Sequence, residues 1–143
     1  MKIQTIIANK KAQTISANDT LDHLVERLSS YRVGALVVSS DERTIEGIVS
    51  ERDVVRAMPG KLDELSHLHV RDIMTVNVLT CTPDSTVADI MSLMTKERIR
   101  HVPVVDAQGK LLSIISIGDI VKHHLNEISV ENQALKEYVA TSH

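Results

Sequence analysis

The 143-residue chain repeats itself. Residues 47–56 read Gly47-Ile48-Val49-Ser50-Glu51-Arg52-Asp53-Val54-Val55-Arg56, and residues 113–122 read Ser113-Ile114-Ile115-Ser116-Ile117-Gly118-Asp119-Ile120-Val121-Lys122. Ser50 aligns with Ser116, Asp53 with Asp119 and Arg56 with Lys122. The offset is 66, and it holds without a gap back to Thr20 and Thr86. A period near half the chain length implies two like units sharing a core, neither stable alone. In each copy an apolar run ends at a Ser, an Asp follows three residues later, and the pattern continues as a helix. Such a junction sets one hydroxyl and one carboxylate at a helix start, beside free backbone N–H groups. That chemistry suits a ligand carrying both hydroxyls and phosphates.

The elements around each junction also recur. Leu21, Leu24, Val25 and Leu28 fall at i, i+3, i+4 and i+7, the apolar stripe of an amphipathic helix. Val87, Ile90, Met91 and Met94 repeat it, after the start signal Pro83-Asp84-Ser85. Ala12–Ile15 reads as a short strand. Ala35–Val38 and Ile45–Val49 read as a hairpin around the polar turn Ser39–Arg43. Glu51–Met58 reads as a helix stopped at Pro59-Gly60. Their counterparts are Val102–Val105, the turn Asp106-Ala107-Gln108-Gly109, Leu111–Ile115 and a helix from Ile117. Met1–Ala8 is a short helical or extended lead-in to the first repeat, and Arg71–Thr75 leads into the second. From Ile120 to the end there is no Gly or Pro, so the last helix is long. Leu125, Ile128, Leu135, Tyr138 and Val139 are spaced so that several share a face. Either this helix packs back on its own domain, or it makes a dimer contact.

The chain lacks Phe and Trp and has two Tyr, so its core is aliphatic. A formal net charge of −3 and the lack of stacking aromatics argue against nucleic-acid and acidic-membrane partners. Cys81 stands alone, which rules out an internal disulfide and fits a reducing compartment. It reads as a buried structural thiol. No secretory segment or long apolar span is visible, so the expectation is a soluble, cytoplasmic protein. His67 and His69 in the joining stretch, and His123-His124, lack the further ligands a metal site needs, and are read as solvated.

Each unit, strand–helix–strand–strand–helix with Gly-apolar-apolar-Ser-x-x-Asp opening its final helix, resembles the cystathionine-β-synthase (CBS) domain. Gly47-Ile-Val-Ser-Glu-Arg-Asp53, Arg98-Ile-Arg-His-Val-Pro-Val-Val-Asp106 and Ser113-Ile-Ile-Ser-Ile-Gly-Asp119 carry the resemblance, which covers nearly the whole chain. The tandem looks like a CBS pair, or Bateman module, standing alone. It implies a mixed α/β fold of two pseudo-symmetric β-α-β-β-α repeats packed together. The expected parts are a first repeat at 1–60, a linker at 61–70, a second repeat at 71–124 and a C-terminal helical tail at 125–143.

The resemblance also implies a function. CBS pairs are sensors of adenosine-containing ligands (AMP, ADP, ATP, NAD or S-adenosylmethionine), bound in two clefts between the repeats. By position, Asp119 and Asp53 would each hold a ribose diol, and Ser116 and Ser50 would meet phosphate. The Asp119 cleft would be closed by Gln13, Val33, Gly34 and Ala35, and the Asp53 cleft by Leu79, Ile99, Arg100 and His101. Adenine would lie between aliphatic side chains. Arg100 and His101 are the phosphate candidates, with Arg52 and Lys122 behind them. Gly118 and Gly34 leave room, which points to the Asp119 cleft as the tighter site. The adenine nucleotide or dinucleotide is a regulatory ligand here, with no catalytic cofactor. The implied assembly is a homodimer read by an unidentified protein partner. The alternative is a protein–protein interaction module with empty or degenerate clefts. No nucleophile elbow, P-loop, metalloprotease helix or GxGxxG stretch is present, so the chain is read as non-enzymatic.

Overall fold

The computed structural model describes residues 1–141. Ser142 and His143, the end of the expected tail, lie outside the described residues. In the first repeat β1 (Thr14–Ile15) pairs in parallel with β2 (Ala35–Val38), and β2 pairs antiparallel with β3 (Gly47–Ser50). Helix α2 (Leu21–Tyr31) lies between β1 and β2, and α3 (Glu51–Ala57) follows β3 directly. In the second repeat α5 (Val87–Glu97), β4 (His101–Val105), β5 (Leu111–Ser116) and α6 (Ile117–Thr141) occupy the same places. Two short helices, α1 (Ile3–Ile7) and α4 (Val70–Ile73), precede the repeats, and a 3-10 helix at Leu62–His67 stands in the joining stretch.

The repeat extends to the caps. Thr20 Oγ1 accepts from the His23 amide and Thr86 Oγ1 from the Asp89 amide, satisfying a first-turn N–H in each helix. Both helices end on an arginine in the left-handed conformation, Arg32 (φ 54°) and Arg98 (φ 56°). Of each stripe, Leu21, Leu24 and Leu28, or Ile90 and Met94, are buried, while Val87 is half-buried. The i+4 members Val25 and Met91 face solvent in both copies.

One strand differs. Ile15 has β1 around it, but its counterpart Cys81 makes only an isolated parallel bridge to Val104. The cause is Pro103. At the equivalent place Val37 donates its N–H to the Gln13 carbonyl, and proline has no N–H to give Leu79. The backbone before Cys81 is therefore not held to the sheet. Burial pushes the Cys81 thiol up to about 11, as suits a structural cysteine.

The lead-in helices cross over. Ile3 is fully buried in the second repeat's core with Cys81, Ile90, Val102 and Ile115, and the Ile3 amide donates to the Ser85 carbonyl. Val70 is buried in the first repeat's core with Leu24, Leu36 and Val49, and its amide donates to the Asp19 carbonyl. Each lead-in thus packs on the repeat it does not precede. Between the sheets a third cluster joins Ala12 and Val37 to Leu111 and Ile114. The long last helix is as expected, but beyond its first turns it does not pack back on the body: Leu125, Ile128 and Leu135 are exposed.

Candidate functional site

Both Ser-x-x-Asp junctions are built alike. The Ser50 amide donates to Asp53 Oδ2 at 2.8 Å, and the Asp53 amide to Ser50 Oγ at 3.4 Å. The Ser116 amide donates to Asp119 Oδ2 at 2.9 Å, and the Asp119 amide to Ser116 Oγ at 3.1 Å. The Glu51 amide donates to the Gly34 carbonyl and the Ile117 amide to the Arg100 carbonyl, so each junction is tied to the strand beside it. These reciprocal caps consume first-turn donors. An incoming phosphate at α3 would rely on side chains more than on helix amides.

The surroundings of the two carboxylates differ. A cavity opens at Asp53, between the start of α3, the start of β4 and the segment 75–79. Arg52, Arg56, Arg98 and Arg100 line it, with Ser50 and His101 alongside. Ile48, Val78, Leu79 and Ile99 supply apolar wall, with Thr75 and Asn77 between them. The ladder bond that Pro103 cannot make leaves Leu79 at this wall. Asp53 Oδ1 takes no hydrogen bond from the described residues, so one carboxylate oxygen is uncommitted. None of the four arginines is in an ion pair among the described residues. In the first repeat's lead-in, by contrast, Lys10 folds its ammonium onto Asp119 Oδ2 as a salt bridge and hydrogen bond. Burial raises the Asp119 pKa, but Lys10 and the Ser116 amide outweigh it, and the net shift is downward.

Ser113 explains why Lys10 sits there. It replaces the glycine found at position 47 of the first repeat. At Gly47 an added Cβ would stand 2.8 Å from the Thr75 carbonyl oxygen, because the lead-in crosses β3 at that point. Ser113 tolerates its side chain by using it: Oγ donates to the Lys10 carbonyl at 2.7 Å and is fully buried. The hydroxyl fixes the backbone of Lys10 under Asp119.

Most of the residues expected to surround Asp53 gather there: Ser50, Arg52, Leu79, Ile99, Arg100 and His101 all line the cavity. Gly34 and Ala35, expected to close the Asp119 cleft, line the Asp53 cavity instead, while Gln13, Val33, Ser116 and Gly118 do not line it. The two glycines thought to leave room at Asp119 are therefore not in one cleft. Gly34 lies under the His101 ring, where an added Cβ would meet Cε1 at 3.1 Å and Nε2 at 3.2 Å. His101 stands between the junctions. Burial holds its pKa below the usual value, helped by Lys10 and Arg100 and opposed by Glu51 and Asp119. Sequence reasoning passed over Arg56 and Arg98 as site residues. Arg56 lies one helical turn after Arg52, and Arg98 falls within the Arg-Ile-Arg-His stretch, so spacing could have flagged both.

Two pseudo-symmetric α/β repeats, cross-braced by their lead-ins and carrying a Ser-x-x-Asp junction each, define a paired-repeat module with a cleft between its halves. The chain belongs to the CBS domain family, whose model matches residues 4–60 and 70–126. It is 35% identical over 128 residues to a mitochondrial CBS domain-containing protein of Arabidopsis thaliana, covering 87% of this chain and 62% of that protein's length. It is similar to the crystal structure of a CBS-domain protein of Agrobacterium tumefaciens, with 32% identity, a TM-score of 0.82, and 87% of this chain and 99% of that one covered. A CBS domain protein of Pyrobaculum aerophilum, solved with AMP, shares the fold at 24% identity and a TM-score of 0.75, over 83% of this chain and 89% of that one. Among the described residues no helix is long and apolar enough to cross a membrane.

Proposed function

We propose that the chain is a regulatory module that binds one adenosine-containing ligand per protomer, in the Asp53 cavity. The observation that carries this reading is the cavity's lining: a carboxylate with a spare oxygen, four arginines without ion-pair partners, and an aliphatic wall. Asp53 accepts from both hydroxyls of a ribose, an arrangement worth on the order of 1.5–3 kcal/mol per charge-assisted bond. Arg100 and Arg98 face phosphate from the second repeat, and Arg52 and Arg56 from the first. The base lies between Leu79, Val78 and Ile99. The cavity is about 180 Å³, below the range of about 300–1,000 Å³ usual for drug-sized ligands. That favours a mononucleotide such as AMP over NAD. The AMP held by the Pyrobaculum relative supports the same ligand class. Lys10 already neutralises Asp119, so the second junction serves structure.

Because the cavity's walls come from both repeats, ligand favours one arrangement of the halves, and a protein partner reads the difference. No step of chemistry is assigned to the module. The test is isothermal titration of the full chain with AMP, ADP, ATP, NAD and S-adenosylmethionine. One site per chain, lost in Asp53→Ala and kept in Asp119→Ala, is the expected result. Binding kept in Asp53→Ala and lost in Asp119→Ala would move the site to the other junction. No heat with any of the five would leave the interaction-module reading in its place.

A further inference from the structure

The outer part of α6 carries a feature that nucleotide binding does not use. Val121, Leu125, Ile128, Asn132, Leu135 and Val139 follow one another at alternating steps of four and three, the heptad of a coiled coil. Val121, Ile128 and Leu135 take the d positions, and Leu125, Asn132 and Val139 the a positions. The seam is bare: Val121 is 51% exposed, Leu125 59%, Ile128 40% and Leu135 61%. Ile120, His123 and Glu127, at the c and f positions on the opposite side of the helix, are the buried or half-buried ones. The helix therefore rests on the body by one side and turns its heptad seam outward.

We infer that a second copy of the chain covers this seam, as a parallel two-stranded coiled coil centred on an Asn132–Asn132 pair. Three observations choose this occupant and orientation. First, an amide inside an apolar seam needs a polar partner. In a parallel pair a faces a, so Asn132 meets Asn132 of the second copy, whereas antiparallel pairing sets a against d and leaves the amide facing an apolar side chain. Second, parallel pairing brings each g residue to the e residue five positions on in the other strand. Here that joins Glu131 to Lys136 of the second copy, twice by symmetry, with opposite charges. Third, a buried Asn at an a position selects two strands. It outweighs the single heptad of Leu125 at a and Ile128 at d, a combination that by itself leans towards higher assemblies.

Sedimentation equilibrium of the full chain, with no nucleotide present, is the first measurement, and a dimer is expected. Ile128→Asp with Leu135→Asp gives a monomer whose circular dichroism keeps the body's fold, because both positions are exposed in the protomer. Asn132→Cys forms an intermolecular disulfide on mild oxidation, since a-to-a contact occurs only in the parallel arrangement. Glu131→Lys raises the dimer dissociation constant by roughly two- to thirty-fold, and adding Lys136→Glu restores it. A monomeric or tetrameric wild type, a dimer that survives the double Asp substitution, or an Asn132→Cys dimer that does not cross-link would each overturn the inference. None of these outcomes depends on whether the Asp53 cavity binds nucleotide.

Discussion

Three side chains decide the difference between two otherwise matched sites. Ser113 in place of glycine holds the Lys10 backbone, Lys10 neutralises Asp119, and Pro103 in place of Val37 releases Leu79 to the other cavity. Lys10→Met should therefore free Asp119, and titration with AMP should change from one site to two, the second weaker for want of arginines. The same substitution removes a charge that depresses the Asp119 pKa. A carboxylate whose folded pKa lies below its unfolded value of about 3.9 adds stability above that value and loses it as pH falls through the folded one. Wild type should thus lose stability in acid more steeply below about pH 4 than Lys10→Met. His101 has the opposite charge type and a lowered pKa, so the unfolded chain takes up its proton first. Its contribution is full above about pH 6.5 and declines as pH falls below it. His101→Gln should flatten thermal-denaturation profiles between pH 5 and 7.

The left-handed arginines separate backbone from function at the same scale. A non-glycine residue in this conformation costs about 1–2 kcal/mol, partly offset on replacement by glycine's larger entropy loss. Arg32→Gly should raise Tm by about 2–4 °C, with AMP affinity unchanged. Arg98→Gly should give a similar rise in the absence of ligand but weaken AMP, because only the second arginine lines the cavity. Equal ligand effects in the two variants would place the phosphate elsewhere.

At the level of elements, the repeat made most of the fold legible. Periodicity in Leu21-Leu24-Leu28, the Val-rich hairpins and the caps at Thr20 and Thr86 are local signals, and local physics governs them. What was hidden depends on chain crossings. Nothing near Ile3 indicates that it fills the core of residues 81–120, and nothing near Lys10 points to Asp119, 109 positions away. The residues around Asp53 were legible through the family pattern. The closing of the other junction was not, because it rests on a contact the repeat does not duplicate. The crossing has a measurable consequence. Ile3→Ala should cost about 2–5 kcal/mol, as for other fully buried aliphatic truncations. Hydrogen exchange should accelerate first in α5 and β4, far along the sequence, and later in α2 and β2. Faster exchange in the first repeat alone would contradict the crossed packing.

For the whole molecule, crossed lead-ins and the shared cluster of Val37 and Ile114 bind the halves into one cooperative unit. Neither repeat has a complete core without the other's lead-in, so loss of one exposes the other. Calorimetry should accordingly record one transition, with calorimetric and van't Hoff enthalpies equal, provided the protein is studied where the oligomeric state is constant. The cavity at Asp53 draws Arg52 and Arg56 from one half and Arg98 and Arg100 from the other, and these like charges repel across the interface. A polyanionic ligand both bridges the halves and removes that repulsion. At 100 times its dissociation constant, a ligand that binds only the folded state adds about 2.7 kcal/mol, which shifts the single transition upward by several degrees. Raising ionic strength in the absence of ligand should move Tm in the same direction, by screening the arginines, and should shrink the ligand's increment. A second transition emerging when ligand is added would mean that ligand stabilises one half only, and that the halves are coupled more weakly than their exchanged helices imply.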